Sequence, residues 1–284
     1  ANGYRVGLYT SPHLHDLRER FVIDGTPIDA DTFAETVARL LPSLHAVPDV
    51  GFPEATTLLG LAYFEARAVD VAVIETHLGG RYDPTNITRP SVSVITTLGY
   101  DHTELLGHTL AEIAWHKAGI LKAGVPAVSA PQPAEAVAVL RAEAESVGAP
   151  LMLWGEDAHY QAHPPTRSGQ TITLDDGRTF ETALLGGHQA ANLAAALGAL
   201  ETLHRYGRVT LDDARTREGL RAVRWEGRLE VIDRAPLTVL DGAHNPESAV
   251  ALRDAVGALF PEKPLVLVYA SKASKDIAAI LGDL

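Results

Sequence analysis

The chain has 284 residues, 46% hydrophobic and 21% charged, an ordinary globular balance with enough length for one large or two smaller cores. Its formal net charge is −12 and it has no dense basic run, which makes it a poor binder of nucleic acid. Cysteine is absent, which excludes a disulfide framework and a thiolate metal site. It shows no signal peptide and no apolar run of about 18 residues, so a cytoplasmic protein without a membrane partner is expected.

In chain order, Ala1 to Gly7 reads as a helix end, a Gly cap and a strand entry, so the chain is expected to be a fragment of a longer polypeptide. A strand over Val6 to Tyr9 leads into Thr10-Ser11-Pro12-His13-Leu14. Helices are predicted over 29–41, 54–68, 109–119, 134–147, 188–205, 211–221 and 247–259. Between them lie short apolar runs: 69–76, Ser91 to Leu98, Val125 to Ser129, Pro236 to Leu240 and Pro264 to Tyr269. Such runs alternating with helices predict buried parallel strands and an α/β fold. Residues 155–185 differ, being polar and Pro-rich with a hairpin signal at Asp175-Asp176-Gly177-Arg178, and predict a small antiparallel insertion. A boundary is expected over Ala222 to Arg228, dividing a 1–222 domain from a smaller, partial unit at 229–284.

Polar residues at strand ends carry the chemistry, because ligands of open α/β sheets bind outside the carboxyl ends of the strands. Glu75 ends one strand ahead of Leu78-Gly79-Gly80-Arg81 and suits magnesium, which prefers hard oxygen ligands; the plain alternative is a hydrated carboxylate. Ser11 follows the first strand and offers a hydroxyl to the same ion, or simply a local turn bond. His102, in Asp101-His102-Thr103, should open onto the same edge, although histidine is a less usual magnesium ligand. Lys117 shares a helical stripe with Leu110, Ile113, Ala114 and Leu121, behind a capping box at Thr109 to Glu112. A lysine there either snorkels, contacts phosphate, or is carbamylated into an anionic oxygen ligand. Asn192 suits an adenine edge, Arg228 a phosphate and Asp241 ribose hydroxyls; each has a structural alternative as a solvated or turn-forming residue. The chain contains no Gly-Lys dipeptide and so no G-x-x-x-x-G-K-[ST] phosphate loop.

In this order, Gly7 to Leu14 with Glu19-Arg20, Glu54 to Thr57, Leu78 to Arg81, Asp101 to Thr103, Lys117-Ala118-Gly119-Ile120, His188 to Asn192, Trp225 to Arg228 and Asp241 to Pro246 resemble the folylpolyglutamate synthase / dihydrofolate synthase family of the Mur ligase superfamily. The resemblance implies a Mur-ligase-like parallel-sheet domain of the P-loop type plus an incomplete Rossmann-like C-terminal domain. It implies an ATP- and magnesium-dependent ligase that joins L-glutamate to dihydropteroate or a reduced folate through an acyl phosphate. By resemblance Ser11, Glu75 and His102 are metal ligands and Lys117 is the carbamylated lysine. Asn192, Arg228 and Asp241 contact ATP, and His244 lies near the nucleotide and the incoming glutamate. The loop carrying Thr10, Ser11, Pro12, His13 and Arg20 would help form the folate pocket. A monomer is expected, with a phosphate loop encoded upstream of Ala1. Competing expectations are a Mur-type ligase of cell-wall precursors and a non-catalytic folate- or nucleotide-binding module. The chain departs from the family pattern at Thr76-His77, where a small apolar residue and Gly are usual, at His116, usually Glu, and at Pro53, where an aromatic is frequent.

Overall fold

The computed structural model describes residues 2–261, 264–272, 275 and 277–284. They form two compact units, one of residues 2–90 with 116–120 and one of 91–115 with 121–284.

The first unit contains β1 (Val6–Tyr9), β2 (Phe21–Ile23), β3 (Thr26–Pro27), α1 (Ala30–Ala46), α2 (Phe52–Ala66) and β4 (Val71–Ile74). Its sheet has the order β3-β2-β1-β4, with β1 and β4 parallel and the other pairs antiparallel. Tyr9, Phe21, Ile28, Leu59, Tyr63 and Phe64 form its core. Each large side chain buried there contributes about 1.5–3 kcal/mol relative to exposure. α1 starts where Asp29 accepts from the Thr32 amide at 2.8 Å. The run at 69–76 does make a parallel strand, but not a buried one: Val73 is 51% exposed. β4 is the last strand in its ladder, so one edge has no strand partner among the described residues.

The second unit starts with β5 (Ser93–Ile95), α3 (Thr103–Leu106) and α4 (Leu110–Ala118), the last residues of α4 belonging to the first unit. It continues through β6 (Ala127–Ser129), α5 (Ala134–Val147) and β7 (Leu151–Leu153). Strands β5, β6 and β7 pair in parallel, as the α/β reading requires. Then come β8 (Tyr160–Ala162), β9 (Gln170–Leu174) and β10 (Thr179–Thr182), an antiparallel sheet that is the expected insertion, its hairpin turning at 175–178. Helix α6 (Gln189–Arg205) packs Leu193, Ala194 and Leu197 on Val128, Trp154, Ile172 and Phe180, joining the parallel sheet to the insertion. Helix α7 (Asp213–Ala222) leads to a hairpin, β11 (Glu230–Arg234) and β12 (Leu237–Leu240), and then to α8 (Pro246–Leu259) and α9 (Ile277–Asp283). The expected boundary at 222–228 falls inside this unit.

The predicted strand over Pro264 to Tyr269 is not formed. Those residues are irregular, with Val266 86% and Val268 93% exposed. An apolar run becomes a strand only when a ladder receives it, and among the described residues the β11–β12 sheet has two strands.

Candidate active site

In the first unit, Tyr9 pairs with Ile74 across the parallel ladder, so both strands end together and both following loops leave at one edge. The Glu75 amide donates to the Tyr9 carbonyl at 2.9 Å as a last rung. One step further, the Ser11 amide donates to Glu75 Oε2 at 2.8 Å. The structure thus brings Ser11 and Glu75 into contact, with Glu75 exposed and Ser11 half-buried.

The Leu78–Arg81 loop then folds onto residues 116–120. The Arg81 amide donates to the His116 carbonyl at 2.7 Å, and Asn86 Nδ2 donates to the carbonyls of Arg81 at 3.0 Å and Gly119 at 3.1 Å. This approach requires glycine on both sides. A Cβ at Gly80 would lie 2.9 Å from the Lys117 carbonyl oxygen, and one at Gly119 would lie 2.3 Å from Arg81 Cα. The Lys117 segment is thereby held against the loop that follows Glu75. Helix α4 has the expected capping box, with the Glu112 amide on Thr109 Oγ1 at 3.2 Å and the Thr109 amide on Glu112 Oε2 at 3.0 Å. Ile113, Ala114 and Leu121 of the stripe are buried, and Lys117 is half-buried.

The loop from Thr10 to Arg20 is organised by Glu19, whose carboxylate accepts from the amides of Leu14, His15 and Asp16. Those bonds hold its carboxyl below the ordinary glutamate value, against a smaller opposing effect of burial. Arg20 is buried, donates from Nε to His13 Nδ1 at 3.0 Å and lies 5.3 Å from the centre of the Phe52 ring. Thr10 donates its amide to the Arg20 carbonyl at 3.3 Å, and Pro12 is exposed at the loop surface.

The second unit holds the other expected residues in two clusters. In one, Asn192 Nδ2 donates to Gln189 Oε1 at 3.0 Å, and Gln189 Nε2 lies 3.1 Å from His188 Nε2. Desolvation lowers the proton affinity of the His188 ring; Asp241 opposes that effect and Arg228 adds to it. Both Asp241 oxygens already accept amides, from Leu229 and Ala243 at 2.8 Å, so this acid builds its turn whatever else it binds. Arg228 Nη1 lies close over Gly242, 2.5 Å from where a Cβ would sit. A cleft of about 470 Å³ opens alongside, lined by Gly187, His188, Glu247 and Val250 among others.

The other cluster centres on Asp101. Its carboxylate accepts from Lys275 Nζ at 2.5 Å and from Asn245 Nδ2 at 3.2 Å, with His244 Nε2 at 3.4 Å. Burial alone would raise its pKa; Lys275 and Asn245 outweigh that and lower it. His102 follows in a left-handed conformation, φ 50°, exposed and 3.9 Å from Asp101. Ser11, Glu75 and Lys117 therefore belong to one unit, and His102, Asn192, Arg228, Asp241 and His244 to the other.

Among the described residues no group of three His, Cys, Asp or Glu side chains forms a metal cluster. The donors at the β1–β4 edge include a serine hydroxyl and a carboxylate whose Oε2 accepts the Ser11 amide. That is a hard-oxygen set and fits magnesium.

Residues 35–200 match the model of the Mur ligase middle domain. The chain is 38% identical to folylpolyglutamate synthase of Lacticaseibacillus casei, over 100% of its own length and 68% of that protein. The chain belongs to the folylpolyglutamate synthase family. It is also 34% identical to the dihydrofolate synthase/folylpolyglutamate synthase of Bacillus subtilis (strain 168), over 99% of its own length and 68% of that protein. A solved FPGS–AMPPCP–folate complex superposes with a TM-score of 0.90 at 37% identity, covering 99% of this chain and 70% of the other.

Within this folylpolyglutamate synthase frame, the structure adds residues that the sequence reading did not single out. Asp101 is the hub of its cluster rather than a neighbour of His102. Asp83 accepts the amides of His77 and Leu78, both at 2.8 Å, and so shapes the loop after Glu75. The available signal was an acid in the loop that follows a strand or a Gly-Gly pair.

Proposed function

We propose that this chain serves an ATP-dependent ligase that joins L-glutamate to the carboxylate of dihydropteroate or a reduced folate. The observation that supports it best is the Ser11–Glu75 contact at the β1–β4 edge, with the Lys117 segment held on the same loop. In the reaction a carboxylate oxygen of the pterin substrate attacks the γ-phosphorus of ATP, and ADP leaves. The glutamate amine then attacks the acyl carbon of the acyl phosphate, loses a proton and expels phosphate. Magnesium, when bound, supplies positive charge that neutralises the phosphate oxygens.

Ser11, Glu75 and His102 would hold that ion. Lys117, by attack of its amine on carbon dioxide with loss of a proton, would become an anionic carbamate. Asn192 is assigned to the adenine, Arg228 to the phosphates and Asp241 to the ribose, and His244 to the vicinity of the incoming glutamate. The Thr10–Arg20 loop, with Thr10, Ser11, Pro12, His13 and buried Arg20, is assigned to the folate. The reading includes a division into a 1–222 domain and a 229–284 ligase domain, and a monomer working in the cytoplasm. Among the described residues no helix is long and apolar enough to cross a membrane.

The test supplies the full-length protein with ATP, magnesium, glutamate and each pterin in turn. ADP release that requires both glutamate and a pterin is expected. Absence of release with every pterin would reject the reading.

A further inference from the structure

We propose that His77 is a positioning residue: it ties the loop after β4 to β1 and α2 and so holds the Glu75 carboxylate against Ser11 for the cation. This rests on reading Glu75 as a metal ligand. Glu75 itself is exposed at a strand end, and an exposed acid on a loose loop must be ordered anew each time it binds.

His77 occupies a position where the family pattern has a small residue, and its side chain is only 12% exposed. Its ring stands edge-on to Tyr9, centroids 5.4 Å apart at 72°, with Nε2 2.7 Å from the Tyr9 hydroxyl. The Tyr9 hydroxyl donates to Thr56 Oγ1 at 2.9 Å, and the Thr56 hydroxyl donates to the Phe52 carbonyl at 3.0 Å. The chain of bonds crosses from the β4 loop through β1 into α2. On the other side of the loop, Asp83 accepts the His77 and Leu78 amides, and its Oδ1 lies 3.6 Å from His77 Nδ1. Position 77 is thus gripped from two directions, two residues from Glu75. A glycine there would remove the ring's link to Tyr9 and with it the tie from this turn to β1 and α2.

The test compares full-length wild type with Tyr9→Phe, His77→Gly and His77→Gln by hydrogen exchange. Exchange is read on peptides covering 9–12 and 74–79, and Mn²⁺ affinity is measured in parallel with AMPPCP present. Tyr9→Phe keeps the ring and its packing, so it serves even if His77→Gly does not fold. Losing the link should speed exchange in both peptides about three- to tenfold and weaken Mn²⁺ by a similar factor, with α1 unchanged. His77→Gln retains an N–H that can reach Tyr9 and should recover most of both. Unchanged exchange in Tyr9→Phe and in any folded His77→Gly overturns the proposal. So does faster exchange with unchanged Mn²⁺ affinity, or His77→Gln behaving as badly as His77→Gly. If wild type binds no Mn²⁺, the ligase reading falls, and exchange alone decides whether His77 anchors the loop.

Discussion

Two carboxylates eight positions apart serve one loop in opposite ways. Glu75 is exposed and accepts the Ser11 amide; Asp83 is buried and accepts the amides of His77, Leu78 and Thr85 and the Thr85 hydroxyl. Burial alone would raise the Asp83 pKa, but the His77 ring, Thr85 and the Leu78 amide overcome that and hold it at about 2. A depressed folded value means stability that is present above the unfolded pKa, near 3.8, and lost as pH falls from there towards 2. The stake is about 2 kcal/mol. Urea titrations of wild type and Asp83→Asn should show a stability gap at pH 6 that narrows by roughly that amount near pH 2.5. Glu75→Gln should behave differently, because its amide oxygen still accepts from Ser11. Its melting should stay within about 0.5 kcal/mol of wild type, while pterin-dependent ADP release falls at least about 100-fold.

At the scale of elements, the fit between the Gly-Gly loop and the end of α4 is the critical joint. Gly119→Ala places a methyl 2.3 Å from Arg81 Cα, where no flexible side chain can yield. The expected loss is at least about 1–3 kcal/mol, read by thermal melting, with ADP release reduced in the protein that remains folded. Some helices carry legible ends: Asp29, Asp212 and Asn245 each accept an amide of the first turn. The hairpin at 175–178 was legible for the same local reason. β2 and β3 were not, because strands of three and two residues carry no readable alternation. The failed strand at 264–269 shows the limit of the apolar-run signal, which reports hydrophobicity but not whether a ladder exists to accept it. Ser11 and Glu75 were legible as strand-end polar groups. Asp101 as a hub was not, since Asn245 and Lys275 lie 144 and 174 positions away. The Tyr9–His77 bond, spanning 68 positions, was hidden in the same way.

For the molecule as a whole, a net charge of −12 coexists with an uncovered apolar stretch. Leu265, Val266, Leu267 and Val268 are 65%, 86%, 46% and 93% exposed. Such a segment pairs readily with a copy of itself, and like-charge repulsion between chains is what opposes it. Raising salt from about 0.05 M to about 1 M shortens the screening length to ~3 Å. Light scattering from residues 1–284 should therefore rise with salt. Val266→Asp combined with Val268→Asp should abolish that rise without lowering the melting temperature, because neither side chain is packed.

The pairing of Tyr9 with Ile74 also limits how this lineage can change its length. A parallel ladder forgives many exchanges of side chain but keeps strict count. One codon gained or lost within 71–75 would present Ile74 or Thr76 to Ser11 and turn the acid to the opposite face. Natural variants should therefore drift freely in length around 163–168, between β8 and β9, while the count from Val71 to Glu75 stays frozen.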